Sequence, residues 1–171
     1  MDRELSFAPL LPAMFEIVLI EPEIPHNTGA AGRLAIATGS RLHLIKPLGF
    51  SLDEKAVRRA GLDYWKHVDL NVWESWDDFQ AAHPAARQWF LSTKGTKSLW
   101  KVEFQAGDHL IFGAETRGLS DEIHATLTPE QLIRIPMTEG PIRSLNLSTS
   151  IAVVLYEGAR QIQAGSTNSV Q

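Results

Sequence analysis

Short apolar runs alternating with helix-like segments constrain this chain more than any other feature. Residues 15–20, 41–45, 68–72, 88–91, 109–112 and 132–135 each read as a strand. Several are apolar along most of their length rather than on alternate residues, which is the pattern of parallel strands buried on both faces. Helical segments lie between them. Residues 27–38 are alanine-rich, with Asn27 or Thr28 near the N-cap and Gly39 past the end. Residues 52–60 stop at Gly61, residues 74–82 stop near Pro84, and Ser120 caps a short helix from Asp121 to about Ala125. The final helix is the longest. In it Leu147, Ile151, Val154, Leu155 and Gly158 recur at three and four residues, giving one apolar face, and Ser144 and Asn146 stand where caps are expected. Gly32 inside the first helix is expected to loosen it slightly. The alternation predicts an α/β fold with a mainly parallel sheet flanked by helices.

A chain of 171 residues is long enough for one domain with a proper core. The expected division is an extension over 1–13, a domain over 14–163 and a flexible tail over 164–171. The chain contains no cysteine, so it has no disulfide framework, thiolate metal site or cysteine nucleophile. This fits a reducing compartment, and a cytoplasmic location is expected. No apolar run approaches the roughly 20 residues of a membrane span, and the first residues lack a signal-peptide pattern, so no membrane partner is expected. The six histidines show no metal-ligand spacing and no plausible carboxylate partner, so structural or surface roles, and no metal, are expected. The five tryptophans are expected in packing roles. A net charge of −4 means that nucleic-acid binding requires a local basic patch. Lys55, Arg58, Arg59, Lys66, Lys94, Lys97, Arg117 and Arg143 are the candidates, although each is also an ordinary solvated surface residue.

Three polar, glycine-bearing loops follow strand ends, where ligands bind in open α/β sheets. The first contains Asn27, Gly29 and Arg33. It is not G-x-G-x-x-G, and Lys46-Pro47 occupies the strand end where a dinucleotide site needs an acid, so a dehydrogenase is set aside. The second contains Gly113, Glu115, Arg117 and Gly118, which read either as a turn with a Glu115–Arg117 surface pair or as a ligand-contact loop. The third contains Ser144, Leu145 and Asn146 ahead of the long helix. Neither G-x-S-x-G nor a phosphate-binding P-loop occurs, which removes the hydrolase and NTPase readings.

In order, Asn27-x-Gly29-x-x-x-Arg33, Phe112-Gly113-x-Glu115-x-x-Gly118-Leu119, and Ile135-Pro136-Met137 with Ser144-Leu145-Asn146-Leu147-Ser148 resemble the three motifs of SPOUT-class RNA methyltransferases. They resemble most its SpoU branch of 2′-O-ribose methylases. Glu21-Pro22-Glu23-Ile24-Pro25 and Arg58-Arg59-Ala60-Gly61-Leu62-Asp63-Tyr64 narrow the resemblance to the group acting on the tRNA wobble nucleotide, a cytidine or modified uridine at position 34, in leucine tRNAs. The resemblance implies a deep C-terminal trefoil knot, S-adenosylmethionine as methyl donor, the tRNA anticodon loop as partner, and a homodimer with a shared active site. It implies a cofactor pocket lined by Leu91, Thr93, Gly113, Ile135, Ser144 and Leu145. It assigns Arg33 to the reacting hydroxyl, with Asn27, Glu115 and Asn146 orienting it and the loops, and makes Tyr156 a candidate substrate or interface contact. A guanidinium holds its proton too tightly to be a good general base, so stabilising the developing alkoxide is the simpler role for Arg33. Another tRNA position, ribosomal RNA, or a knotted RNA-binding module without catalysis stay open as alternatives. Residues 138–142 form an acidic spacer about one residue longer than the usual pattern.

Overall fold

The computed structural model describes residues 15–53 and 63–167. The expected extension at 1–13 and most of the expected helix at 52–60, with Lys55, Arg58 and Arg59, lie outside the described residues. Strands β1 (Glu16–Ile20), β2 (Arg41–Ile45), β3 (Leu70–Trp73), β4 (Gln88–Leu91), β5 (Lys97–Ser98), β6 (His109–Phe112) and β7 (Leu132–Arg134) form one sheet. Its order is β3-β2-β1-β6-β4-β7-β5, and every neighbouring pair is parallel. Around it lie α1 (Pro25–Thr38), α2 (Trp76–Ala82), α3 (Asp121–Thr126) and α4 (Leu147–Thr167).

The continuous apolar runs have a direct cause in the packing. Along β1, Ile17 and Leu19 enter a core built with Ala31 and Ala35 of α1 and Ile151, Val154 and Leu155 of α4. Val18 and Ile20 enter a second core, with Phe79 of α2 and Ile123 of α3. Both faces are therefore buried, and alternation between polar and apolar residues disappears. Gly158 lets α4 come close, because a β-carbon there would stand 2.8 Å from the Phe15 ring. Gln161 ties α4 to a neighbouring segment, donating to the Val102 carbonyl at 2.9 Å and accepting from the Phe104 N–H at 2.9 Å.

Several local expectations change. The loop predicted at 92–97 ends in the two-residue strand β5, which pairs only with β7 and carries no periodic signal. The α1 N-cap is Ile24 with Pro25 following, and neither Asn27 nor Thr28 caps it; Gly39 does end it, at φ 66°. Helix α2 starts later than expected, at Trp76, with the Ser75 hydroxyl accepting from the Asp78 N–H. Helix α4 continues to Thr167, past the tail boundary expected at 164. Gly32 does not simply loosen α1: a β-carbon there would stand 2.5 Å from the Trp65 ring, so the glycine seats the 3₁₀ turn Trp65–His67 against the helix.

The histidines also depart from expectation. His43 does have a carboxylate partner, because the β1–β2 register brings Glu16 to 2.6 Å from its Nε2. Its Nδ1 accepts from the Trp73 indole at 3.0 Å, so in the neutral ring the proton sits on Nε2, facing Glu16. His43 stacks at 6.3 Å on His109, which meets His83 at 5.1 Å. Burial and the neighbouring imidazoles outweigh Glu16 and pull the His109 pKa down to about 4. Burial pushes Glu16 up, but the His43 hydrogen bond and the His43 and Arg41 charges together hold it below its usual value.

The unfolded chain protonates His109 near pH 6.5 and the native ring only near 4, so stability is lost as pH falls through that window and then levels off. The expected size is roughly 3 kcal/mol. Melting temperatures from pH 7 to 4 should show this decline, and His109→Phe should flatten it.

Candidate active site

Because the strands are parallel, the connections after β1, β4, β6 and β7 emerge at one sheet edge. The order reverses where β1 meets β6, the kind of switch point at which α/β sheets hold ligands. An open hollow of about 270 Å³ lies at this edge, over β4, β6 and β7. Its wall brings together all six residues expected to form the cofactor pocket: Leu91, Thr93, Gly113, Ile135, Ser144 and Leu145. Phe112, Leu119 and Met137 add apolar surface, and Glu115, Lys94 and Arg134 add charge. An apolar floor with a few convergent polar groups suits a flat heterocycle carrying a polar chain.

Glu115 joins the hollow to α1. Its carboxylate accepts from the Glu23 N–H at 2.6 Å, the Ile24 N–H at 3.0 Å and the Asn27 side-chain amide at 3.2 Å. A negative charge at a helix N-terminus also meets the favourable end of the helix dipole. The tie is reciprocal, since the Glu23 carboxylate accepts from the Thr116 N–H at 3.0 Å and from the Thr116 hydroxyl at 2.8 and 2.9 Å. Arg117 completes it by donating to Glu21 at 2.6 Å and lying 3.7 Å from Glu23. Arg117 therefore pairs across loops, not with Glu115 as a simple turn would have it. The turn itself closes by the Ala114–Gly118 bridge, and a β-carbon on Gly113 would stand 2.1 Å from the Gly118 carbonyl carbon.

The sequence pattern of the SpoU rRNA Methylase family matches residues 14–156. The chain belongs to the SpoU methylase family. A tRNA (cytidine(34)-2′-O)-methyltransferase of Methylovorus glucosotrophus is 52% identical over 148 residues, covering 86% of this chain and 96% of that protein. A solved structure described as "Structural insights into the 2-OH methylation of C/U34 on tRNA" superposes with a TM-score of 0.82 at 45% identity, covering 90% of this chain and 99% of the other. An AdoMet-bound rRNA methyltransferase from Sinorhizobium meliloti shares the fold, with a TM-score of 0.74 at 22% identity, covering 90% of this chain and 58% of the other.

Within this SpoU-family fold Arg33 and the three residues expected to orient it and the loops, Asn27, Glu115 and Asn146, are not gathered in one place. Asn27 is buried on Glu115, and Glu115 reaches the hollow. Asn146 caps α4, its side-chain oxygen accepting from the Ser148 N–H at 2.9 Å and the Ser148 hydroxyl at 2.6 Å. Arg33 is exposed on α1, is not on the wall of the hollow in its own chain, and lies over the Tyr64 ring at 4.7 Å. Their hydrogen bonds go to other groups than Arg33, so their part in this protomer is to fix α1 and α4 at their N-terminal ends. Glu21, Glu23 and Thr116 escaped sequence reasoning as functional residues. The first two were legible only as the acidic lead into the first motif.

The basic set divides. Arg117 is neutralised by Glu21 and Glu23, Lys94 lies 3.6 Å from Asp121, and Lys97 sits over the Trp89 ring at 5.0 Å. Arg143 is exposed beside a second hollow shared with Thr93, Arg134 and the acidic spacer at Glu139. Among the described residues, no group of three or more His, Asp or Glu side chains is placed to hold a metal ion, and no helix is long and apolar enough to cross a membrane.

Gly113→Ala should destabilise the protein by roughly 3 kcal/mol or more, because the clash is with backbone that cannot rotate away. Thermal unfolding checks this, with Gly140→Ala, where the added carbon meets nothing within 4 Å, as the mild control.

Proposed function

We propose that this protein transfers the methyl group of S-adenosylmethionine to the ribose 2′-hydroxyl of the wobble nucleotide of tRNA, cytidine or modified uridine at position 34, in leucine tRNAs. The observation that carries the reading is the hollow at the switch-point edge, whose wall holds residues from all the strand-end motifs except the first, which Glu115 ties to it. The 52% identity to a tRNA (cytidine(34)-2′-O)-methyltransferase over nearly its whole length supplies the substrate class. Leu91, Ile135 and Leu145 offer the apolar surface an adenine needs, and Thr93, Ser144 and the loop backbone offer hydrogen-bonding groups. When bound, the cofactor supplies a methyl group activated on a sulfonium.

A guanidinium is a poor general base, so the role of Arg33 is to stabilise the negative charge that develops on the ribose oxygen. Since Arg33 is not on the wall of its own hollow, a homodimer in which one protomer's arginine serves its partner's pocket fits this role. The exposed Ile36 of α1 and Tyr156 of α4, on helices that pack together, support such an interface. The described Lys94, Arg134 and Arg143 supply cations at the pocket for an anticodon stem-loop, and a cytoplasmic location follows from that substrate. The trefoil threading implied by the resemblance is supported by close seating of loop 92–96 on β7, where a β-carbon on Gly95 would stand 2.6 Å from the Ile133 carbonyl carbon.

Arg33→Ala should bind S-adenosylmethionine like the parent protein in calorimetry yet methylate anticodon stem-loop RNA about 100-fold or more slowly. Wild-type turnover in that variant defeats the assignment. Mass-spectrometric mapping should place the new methyl on nucleotide 34, and a methyl at another position redirects the substrate reading. Light scattering after size exclusion should give twice the chain mass, and a monomer that methylates at full rate removes the shared site.

A further inference from the structure

Arg33 has a specific seat. Its guanidinium lies 4.7 Å over the centre of the Tyr64 ring. The ring is itself fixed to the same helix, because its hydroxyl donates to the Gly29 carbonyl at 2.7 Å. Gly29 and Arg33 are four residues apart, so they share one face of α1. Trp65 follows and rests against the helix at Gly32, where a β-carbon would stand 2.5 Å from its ring. Tyr64 is thus held at its hydroxyl end by one turn of α1 and presents its π-face to the next. Among the described residues no carboxylate pairs with Arg33, in contrast to Arg41, Arg87, Arg117 and Arg160.

The difference matters for a group meant to meet developing negative charge. A carboxylate would cancel much of the field of the guanidinium. An aromatic face attracts the cation without cancelling its charge, and restricts the directions a long side chain can sample. Pre-set direction is what electrostatic stabilisation of a transition state needs, because charge then forms against a group that need not reorganise.

We propose that Tyr64 is a positioning residue for Arg33: its ring holds the guanidinium as an uncancelled, directed cation, and its hydroxyl locks the ring to α1. The inference rests on the reading of Arg33 as the group that stabilises the reacting ribose oxygen.

The test compares single-turnover methylation of an anticodon stem-loop at saturating S-adenosylmethionine, S-adenosylmethionine affinity and thermal unfolding. The variants are Tyr64→Phe, Tyr64→Leu, Tyr64→Met, Arg33→Ala and the Arg33→Ala/Tyr64→Leu pair. Tyr64→Leu should lower the single-turnover rate about tenfold with cofactor affinity and melting unchanged. Tyr64→Phe keeps the ring and should recover most of the rate, and Tyr64→Leu should cost nothing further once Arg33 is alanine. Tyr64→Met, which removes the ring but keeps bulk, gives the same reading if the leucine variant folds poorly. A ring-less variant that folds and works at the parent rate, while Arg33→Ala is crippled, overturns the inference alone. An equal further loss in the Arg33→Ala background also overturns it, because Tyr64 then acts by another route. Full activity in Arg33→Ala removes the parent reading and this inference together.

Discussion

The carboxylate of Glu115 is the interaction on which the site depends. It sits on a loop that must also wall the hollow, and it accepts three N–H groups from the approach to α1. Backbone donors at the start of a helix have no partner within the helix, so an outside acceptor is needed or water must enter. Here the acceptor comes from the loop after β6, 91 to 92 residues later in the chain. Glu23 returns the bond to Thr116, so neither loop can shift without breaking bonds in the other. Two connections that belong to different strand ends become one rigid piece. The half-buried position of Glu115 matters too, because charge-assisted bonds strengthen as water is excluded.

The same sheet carries its titratable groups at the other end. Glu16 and His109 stand opposite each other in the β1–β6 register, and Arg41 is opposite Glu16 on the other side. Both Glu16 and His109 lie at the amino-terminal ends of their strands, whereas the hollow lies beyond the carboxyl-terminal ends. The imidazole cluster and its acid sensitivity therefore belong to the stability of the sheet. The chemistry belongs to the opposite edge, where strand ends leave backbone groups and loops free to meet a ligand.

What was legible in the sequence follows from range. Burial on both faces writes itself into a strand as a run of apolar residues, so β1, β2 and β6 were readable directly. Asn146 was readable as a cap because its partner is two residues away. Interactions that depend on register or on a meeting of loops were not. His43 and Glu16 are 27 residues apart and meet only because β1 and β2 pair in that register. A Glu115–Arg117 pair is one of the two readings the local sequence offers, but the β1 connection supplies Arg117 with two other carboxylates. Strand β5 has only two residues and borrows its geometry from β7. Gly32 was judged by helix propensity, which is a local quantity, whereas its use lies in admitting Trp65 from outside the helix.

The proposed RNA substrate requires of an acidic chain that some cations are not already cancelled by its own carboxylates. The ion pairs show how this is arranged. Arg41, Arg87, Arg117 and Arg160 each face a carboxylate and hold strands, loops or a helix turn together. Arg33 and Lys97 have no such ion pair among the described residues and lie on aromatic faces, which hold a cation in place while leaving its charge to act outward; Arg87 shares the Trp89 ring with Lys97 but is also paired with Asp108. With a net charge of −4, attraction to phosphate cannot come from the protein as a whole and must come from local groups whose charge is not cancelled. An ion pair therefore marks the arginines that tie the fold together, and the lack of one among the described residues leaves the charge of Arg33 directed outward.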